Sequence, residues 1–443
     1  MKSHADTIAA IATATGGGIG IVRVSGAQAS SIGERVLRPF PSTIAPRVLL
    51  HGEVVDGDEL IDEVLFVLFR GPRSYTGEDV LEIHAHGGAA GLARVLSATV
   101  KAGARVAEPG EFTRRAFLAG RLDLTRAEAV ADLIAARDER AARVARAQLG
   151  GGVERTVRSL LAPIVNLLAE IEGSIDFPEE DVEVAAIAEQ ARVVVECGAA
   201  IARLASSYAR GRLLVEGIDV VLAGRPNAGK SSLVNALAGE ERALVDAAPG
   251  TTRDVVEVEV DLGGVRARLV DTAGERQSEA GTVEQRGMEL GRRRRNLADI
   301  VMLVIDGSVG WTATEDKLLA EAGERALIVW NKCDLAPSTD PRAIAVAATR
   351  ATGLDALRAA LLARFVDVSE EATITLTSER QHAALVSAQA ALARALPLLD
   401  GTRAPELVAM ELRTARESLR EVLGETATTE VLDRVFARFC IGK

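Results

Sequence analysis

The stretch "IDVVLAGRPNAGKSSLVNALAG", residues 218–239, constrains this chain more than any other. A β-rich apolar run ends at Gly224, then Gly224, Gly229, Lys230 and Ser231 follow at the spacing of a phosphate-binding loop, and a helical pattern begins at once. The glycines let the backbone turn so that successive N–H groups point at one place, in front of the positive end of a helix. Lys230 is placed to reach β and γ oxygens, and the Ser231 hydroxyl to bind Mg2+, with Asn227, Ala228, Gly229 and Ser232 completing the cradle. Strands and helices alternate from residue 218 to about 366, which predicts a doubly wound α/β sheet.

Two further strings identify the nucleotide. In "LVDTAG" a strand ends at Asp271, suited to hold Mg2+ through water, and Thr272, Ala273 and Gly274 follow, the Gly274 amide suiting a γ-phosphate. In "IVWNKCD" the Asp334 carboxylate can accept two hydrogen bonds from the N1–H and exocyclic amine of guanine, where adenine offers an acceptor instead; leaving such a charge unpaired costs about 1–3 kcal/mol or more. Asn331 ties that loop to the phosphate loop and Lys332 covers the base. Between the motifs, "DAAPGTTRD" supplies Asp246, Ala247, Ala248, Pro249, Gly250, Thr251 and Thr252 as a first switch loop, with Thr252 completing the Mg2+ shell. Together these strings predict a GTPase domain. Glu275 stands after "DTAG" where small GTPases keep a catalytic Gln, and reads as a solvent-facing switch residue.

The flanks read differently. Residues 1 to about 118 alternate β-rich runs with an Ala-rich helix near 88–100, an α+β pattern, and "VLEIHAH" alternates so that Glu82, His84 and His86 share the face opposite Leu81, Ile83 and Ala85. His84 and His86 lack a third metal ligand and read as a polar sheet face. From Leu124 the pattern is helical, with Thr125 and Glu128 forming a capping box. Helical stripes return after about residue 368, so the α/β unit is expected as an insertion in one helical domain. The last stripe, Val431, Leu432, Val435, Phe436 and Phe439, must be buried, which carries "FCIGK" to a defined place; Gly442 and Lys443 argue against a prenylation signal.

The net charge of -11 gives no electrostatic footprint for DNA or RNA, and 3% aromatics are too few for base-stacking platforms. Cys197, Cys333 and Cys440 are odd in number and far apart, which fits a reduced, cytoplasmic setting. No stretch near the amino terminus reaches signal or transmembrane length, so no membrane partner is expected.

With "DTIAAIAT", "SYTGEDVLEIHAHGG", "PGEFTRRAFLAGRLDLTRAEAVADLI", "PNAGKSSLVNAL", "PGTTRD" and "FCIGK" in this order, the whole chain resembles the MnmE (TrmE) family of tRNA-modification GTPases. The resemblance implies a folate-binding and dimerisation domain over 1–118, a helical domain over 119–214 and 369–443, and a Ras-like P-loop GTPase domain inserted over 215–368. It implies a cytoplasmic homodimer that works on tRNA with the flavoprotein MnmG, in a heterotetramer or larger complex. The reaction places an aminomethyl or carboxymethylaminomethyl group on C5 of the wobble uridine, from 5-formyl- or methylene-tetrahydrofolate. Folate contacts fall on Arg23, Glu82, Arg121 and Lys443, and Cys440 is either a thiolate at that site or a small buried apolar residue. K+ would be held by Asn227, Asp246, Ala248 and Thr251 and do the work of an arginine finger as GTPase domains dimerise. The family's catalytic glutamate corresponds to Glu284, with Glu279 as the other candidate. The loop against guanine reads Ala347, Ala348 and Thr349, leaving that contact to backbone amides. The run Arg292 to Arg295 reads as a solvated helix face rather than an RNA contact. A GTP-dependent binding switch in ribosome assembly is the rival from another functional class.

Overall fold

The computed structural model describes residues 6–136, 138–176, 186–239, 256–262, 265–271, 295–338, 340–364, 374–399 and 405–443. Two compact units form, one from residues 1–134, 145–205 and 378–443, the other from 135–144 and 206–377. The amino-terminal elements are β1 (Ile8–Ile11), β2 (Ile19–Ser25), α1 (Ala29–Val36), β3 (Leu37–Arg38), β4 (Leu50–Asp56), β5 (Glu59–Phe69), β6 (Val80–His86), α2 (Ala89–Lys101) and β7 (Arg105–Val106). Helices α3 (Glu111–Leu118), α4 (Leu124–Ala135), α5 (Glu139–Leu149), α6 (Gly152–Asp176), α7 (Ile187–Ser206) and α8 (Tyr208–Glu216) follow. Next come β8 (Ile218–Ala223), α9 (Lys230–Gly239), β9 (Val256–Asp261), β10 (Arg266–Asp271), β11 (Ile300–Asp306), α10 (Ala313–Ala322), β12 (Ala326–Asn331), β13 (Ile344–Ala345) and α11 (Leu354–Ala363). The chain closes with α12 (Glu379–Ala395), α13 (Pro405–Leu423) and α14 (Thr429–Phe436).

In the first unit a seven-stranded sheet runs β3-β4-β5-β6-β2-β1-β7. Strand β6 shows why it is half-covered: Leu81, Ile83 and Ala85 are buried with residues of α1 and α2, while Glu82 and His84 are half-buried and His86 is exposed on the other face. Helices α6, α12 and α13 pack into the helical part, where Arg394 pairs with Glu411 at 2.9 Å and the Ser387 and Ser418 hydroxyls meet at 3.0 Å. Among the described residues, Glu379–Leu399 is the one segment long and apolar enough to cross a membrane. Its Ala384, Leu385, Ala388, Ala391, Leu392 and Ala395 are buried, α12 packing chiefly against α13, so its apolar character serves a bundle core.

The second unit holds a six-stranded sheet, β13-β12-β11-β8-β10-β9, parallel except for the β9–β10 pair. Its central strands read as continuous apolar runs because both faces are covered: all six residues of β12 and Val220 to Ala223 of β8 are buried. Parallel β8, β10, β11 and β12 end at Ala223, Asp271, Asp306 and Asn331, and all four therefore end on the same edge. In such sheets ligands bind outside that edge.

The capping box is not formed. Asp123 caps α4 instead, its Oδ1 accepting from the Thr125 and Arg126 N–H groups at 2.9 and 3.2 Å and from the Thr125 hydroxyl. A carboxylate directly before the helix meets the orphan N–H groups without a reach-back from the third helical position, and Glu128 turns elsewhere. The tail stripe is buried as expected at Leu432, Val435, Phe436 and Phe439, with Val431 at its edge, against Leu124 and Ala127 of α4.

Candidate functional site

The phosphate loop leaves β8 and enters α9, whose first residue is Lys230. Asn227 and Gly229 have φ of 63° and 90°, so the loop's N–H groups turn inward. A Cβ on Gly229 would lie 2.1 Å from Asn331 Nδ2, so that position is closed to any side chain. Lys230 is buried and its Nζ donates to the Gly224 and Arg225 carbonyls at 3.0 and 2.9 Å. Asn331, 2% exposed, joins the two ends of the site: its Nδ2 donates to the Ala228 carbonyl at 2.8 Å and its Oδ1 accepts the Ala348 N–H at 3.2 Å. Ala347 and Ala348 are buried, and Ala348–Arg350 forms a 3-10 turn that includes Thr349.

Lys332 has φ of 60° and spans outward, its Nζ donating to the Asn227 carbonyl at 3.0 Å and to Asp306 Oδ2 at 2.5 Å. Partial burial pushes the Asp306 carboxyl up, but the bonds from Lys332 and Ser308 outweigh it and hold the group below its ordinary value. The Asp334 carboxylate, expected from the sequence to read guanine, faces Arg350 Nε at 3.1 Å. Neither partnership was read from the sequence: Asp306 belongs to no motif string, and Arg350 follows directly on the 347–349 loop without having been singled out. Ser231 stands in the first turn of α9, and Asp271 ends the strand beside β8, its backbone opposite Leu222. The Ser231 hydroxyl, a hard oxygen donor at a helix start, suits Mg2+.

In the first unit Arg23 and Glu82 are cross-strand partners on β2 and β6, and Arg23 Nε bonds Glu82 Oε1 at 2.8 Å. The guanidinium lies 5.7 Å from the centroids of both the Tyr75 and Phe112 rings. The tail comes to the same place: Arg23 Nη1 is 3.5 Å from the Gly442 carbonyl, and the Phe112 N–H, one of the orphan donors in the first turn of α3, reaches the Lys443 carbonyl at 3.2 Å. Cys440 is exposed, which overturns its reading as a small buried apolar residue; the stripe that buries Phe439 leaves the next side chain facing out. His84 Nε2 lies 3.5 Å from Glu82 Oε2. Arg121 does not share these contacts. Its stem lies against Gly77, and it lines a cavity of about 540 Å3 with Phe117, Arg126, Glu154, Arg158 and Leu423.

The family model described as "MnmE helical domain" matches residues 124–440, and that described as "GTP-binding protein TrmE N-terminus" matches residues 7–121. This chain belongs to the MnmE family. It is 43% identical to the tRNA modification GTPase MnmE of Syntrophotalea carbinolica, covering 99% of each chain. It is 44% identical to that of Nitratidesulfovibrio vulgaris, covering 99% of this chain and 100% of the relative. Among solved structures, Aquifex aeolicus Era is 22% identical over 39% of this chain and 66% of its own, with a TM-score of 0.28. The G domain of the FeoB iron transporter of T. maritima is 25% identical over 34% and 99%, with a TM-score of 0.26. MnmE membership makes the chain a P-loop GTPase and brings a Mg2+ requirement.

Several residues that the MnmE resemblance singles out lie outside the described residues: Asp246, Ala247, Ala248, Pro249, Gly250, Thr251 and Thr252 of the first switch, Thr272, Ala273, Gly274 and Glu275 after Asp271, and both Glu279 and Glu284. So do Arg292, Arg293 and Arg294. Arg295 is half-buried rather than solvated, its Nη2 3.5 Å from Glu321 and its carbonyl accepting from Arg325 at 2.8 Å.

Proposed function

We propose that this chain is the GTP-hydrolysing subunit of a tRNA-modification system that, with the flavoprotein MnmG, builds an aminomethyl or carboxymethylaminomethyl group on C5 of the wobble uridine from a folate one-carbon donor. The observation that carries this reading is the convergence of Arg23, Glu82 and the backbone of Gly442 and Lys443 in a chain that also holds a guanine-nucleotide unit. A pure GTP switch has no use for such a second site. Glu82 keeps a carboxylate positioned by Arg23, able to accept from the N–H edge of a pterin, while Arg23 and Lys443 supply positive charge for ligand oxygens. Arg121, on the neighbouring cavity, would meet a more distant part of the ligand.

In the GTPase unit the inward N–H groups of 227–230 and the Lys230 ammonium hold the phosphates, Asp334 selects guanine, and Asn331 keeps the two halves in register. Ser231 and Thr252 would hold Mg2+, which would supply positive charge to offset that of the phosphates. The Asn227 side chain is exposed at the loop, free to join Asp246, Ala248 and Thr251 in holding K+ where two GTPase units of a cytoplasmic homodimer meet. Glu284 is the proposed water-orienting residue and Cys440 the thiol beside the one-carbon site.

Complementation separates this from the ribosome-assembly switch. Cells lacking the protein receive the parent or Glu82→Gln, and tRNA nucleosides are measured by mass spectrometry while purified protein is assayed for GTP hydrolysis in KCl and NaCl. Glu82→Gln should hydrolyse GTP normally, faster in KCl, yet leave the wobble uridine unmodified. Full modification by that variant would overturn the folate reading, and equal rates in both salts the K+ assignment.

A further inference from the structure

Glu128 is a buried charge that neither the nucleotide site nor the tail site uses. Its side chain is 7% exposed, and four donors converge on it: the Ser378 hydroxyl at 3.0 Å, Arg380 Nε at 3.0 Å and Nη2 at 2.9 Å, and Gln381 Nε2 at 2.5 Å. Two features show local preferences yielding to this cluster. Ser378 stands at the N-cap of α12, a position where serine ordinarily bonds its own helix, yet its hydroxyl makes no cap bond and serves Glu128 instead. Gln381 turns its amide nitrogen to Glu128 and leaves its buried Oε1 without a partner among the described residues.

The guanidinium of Arg380 also reaches a third helix. Its Nη1 donates to the Glu421 carbonyl at 2.5 Å, which also accepts the Gly424 N–H at 3.0 Å, and its Nη2 to the Val422 carbonyl at 3.1 Å, both in the last turn of α13. One rigid fork thus ties α4, α12 and the end of α13 together. From that end the chain turns into α14, whose Leu432, Val435 and Phe436 close on Leu124 and Ala127 of the same α4, and then into the tail. Buried ion pairs add little net stability over apolar packing, but in some proteins they fix one arrangement against others.

We propose that Arg380 and Glu128 are positioning residues for the carboxyl-terminal tail, holding the α13–α14 turn in the one register that brings Gly442 and Lys443 to Arg23 and Phe112. The role in ligand binding rests on the folate reading above; the seating of the tail does not. Because Ser378 directly follows the segment that closes the GTPase unit at Thr377, the same carboxylate also fixes where the chain re-enters this unit.

Arg380→Lys keeps the charge and loses the fork, so it can serve Glu128 or the α13 carbonyls but not both. The full-length protein is examined by amide hydrogen exchange at Phe112, whose N–H meets the Lys443 carbonyl, with Ile83 in the sheet as an internal reference, and by titration with 5-formyl-tetrahydrofolate. Exchange at Phe112 should rise at least tenfold with Ile83 unchanged, folate affinity should fall at least tenfold, and GTP hydrolysis should stay at the parent rate. Parent-like protection at Phe112 overturns the proposal, and so does an equal loss at Ile83, which would mark a general structural role. Glu128→Gln, which keeps the shape and an acceptor, decides on the same readouts if Arg380→Lys does not fold. If the parent itself fails to bind folate, the folate reading falls and exchange at Phe112 still decides this one.

Discussion

Asn331→Asp isolates a single hydrogen bond in the GTPase unit. The Asn331 amide is oriented by its partners, because the Ala228 carbonyl can only accept and the Ala348 N–H can only donate. The substitution keeps the shape and the bond from Ala348, but sets a carboxylate oxygen where Nδ2 stood, 2.8 Å from the Ala228 carbonyl. A buried carbonyl left unsatisfied costs about 1–3 kcal/mol, with repulsion between the two oxygens in addition. The phosphate loop and the 347–349 loop then lose the tie that holds them together, and GDP affinity should fall roughly tenfold to a hundredfold, since each 1.4 kcal/mol is about tenfold. The defect should also be pH-dependent. Burial beside a carbonyl raises the pKa of the new carboxyl, and its protonated form donates to Ala228 as the amide did. Affinity should therefore recover in part as the pH is lowered from about 7.5 towards 5.5, while the parent changes little. Calorimetric GDP titrations at several pH values read both effects. A folded variant that binds GDP within twofold of the parent at pH 7.5 would refute the reasoning, and a uniform deficit across pH would refute its electrostatic half.

Two other outcomes follow from the first unit. Gly442 has φ of 100°, and a Cβ there would lie 2.2 Å from the Ile11 carbonyl, so Gly442→Ala should displace the tail and raise amide exchange at Phe112, whose N–H meets the Lys443 carbonyl, at least tenfold; parent-like protection would contradict that seating. Burial tends to raise the carboxyls of Asp6 and Glu111, but bonds from Arg105 and Arg115 outweigh it and leave both below their ordinary values. A depressed folded pKa gives stability that is complete above the unfolded values of about 3.9 and 4.3 and is lost as pH falls through the folded ones, so the urea midpoint should hold from pH 7 to 5 and drop below about 4. Glu111→Gln should lessen that drop, and an equally steep acid limb in the variant would argue against the network.

What the sequence by itself determined is whatever repeats locally. The phosphate loop between strand and helix, the period-2 face of "VLEIHAH" that sets Glu82 apart from Leu81 and Ile83, and the stripe of α14 are all legible because periodicity and glycine spacing act within a few residues. Which side chains then meet was not legible. Glu128 read as part of a capping box, yet its partner Gln381 is 253 residues away; Arg23 meets Gly442 across 419; Arg350, next to the 347–349 loop but not singled out there, pairs with Asp334. The reason is physical. A helix or strand end has several acceptable polar partners within reach, each worth about 1 kcal/mol, and only the packing of distant apolar faces decides which one is brought near enough to win. The tail illustrates both halves: its apolar spacing required burial, but the choice of α4 as its support, and so of Arg23 and Phe112 as its destination, belongs to the tertiary structure.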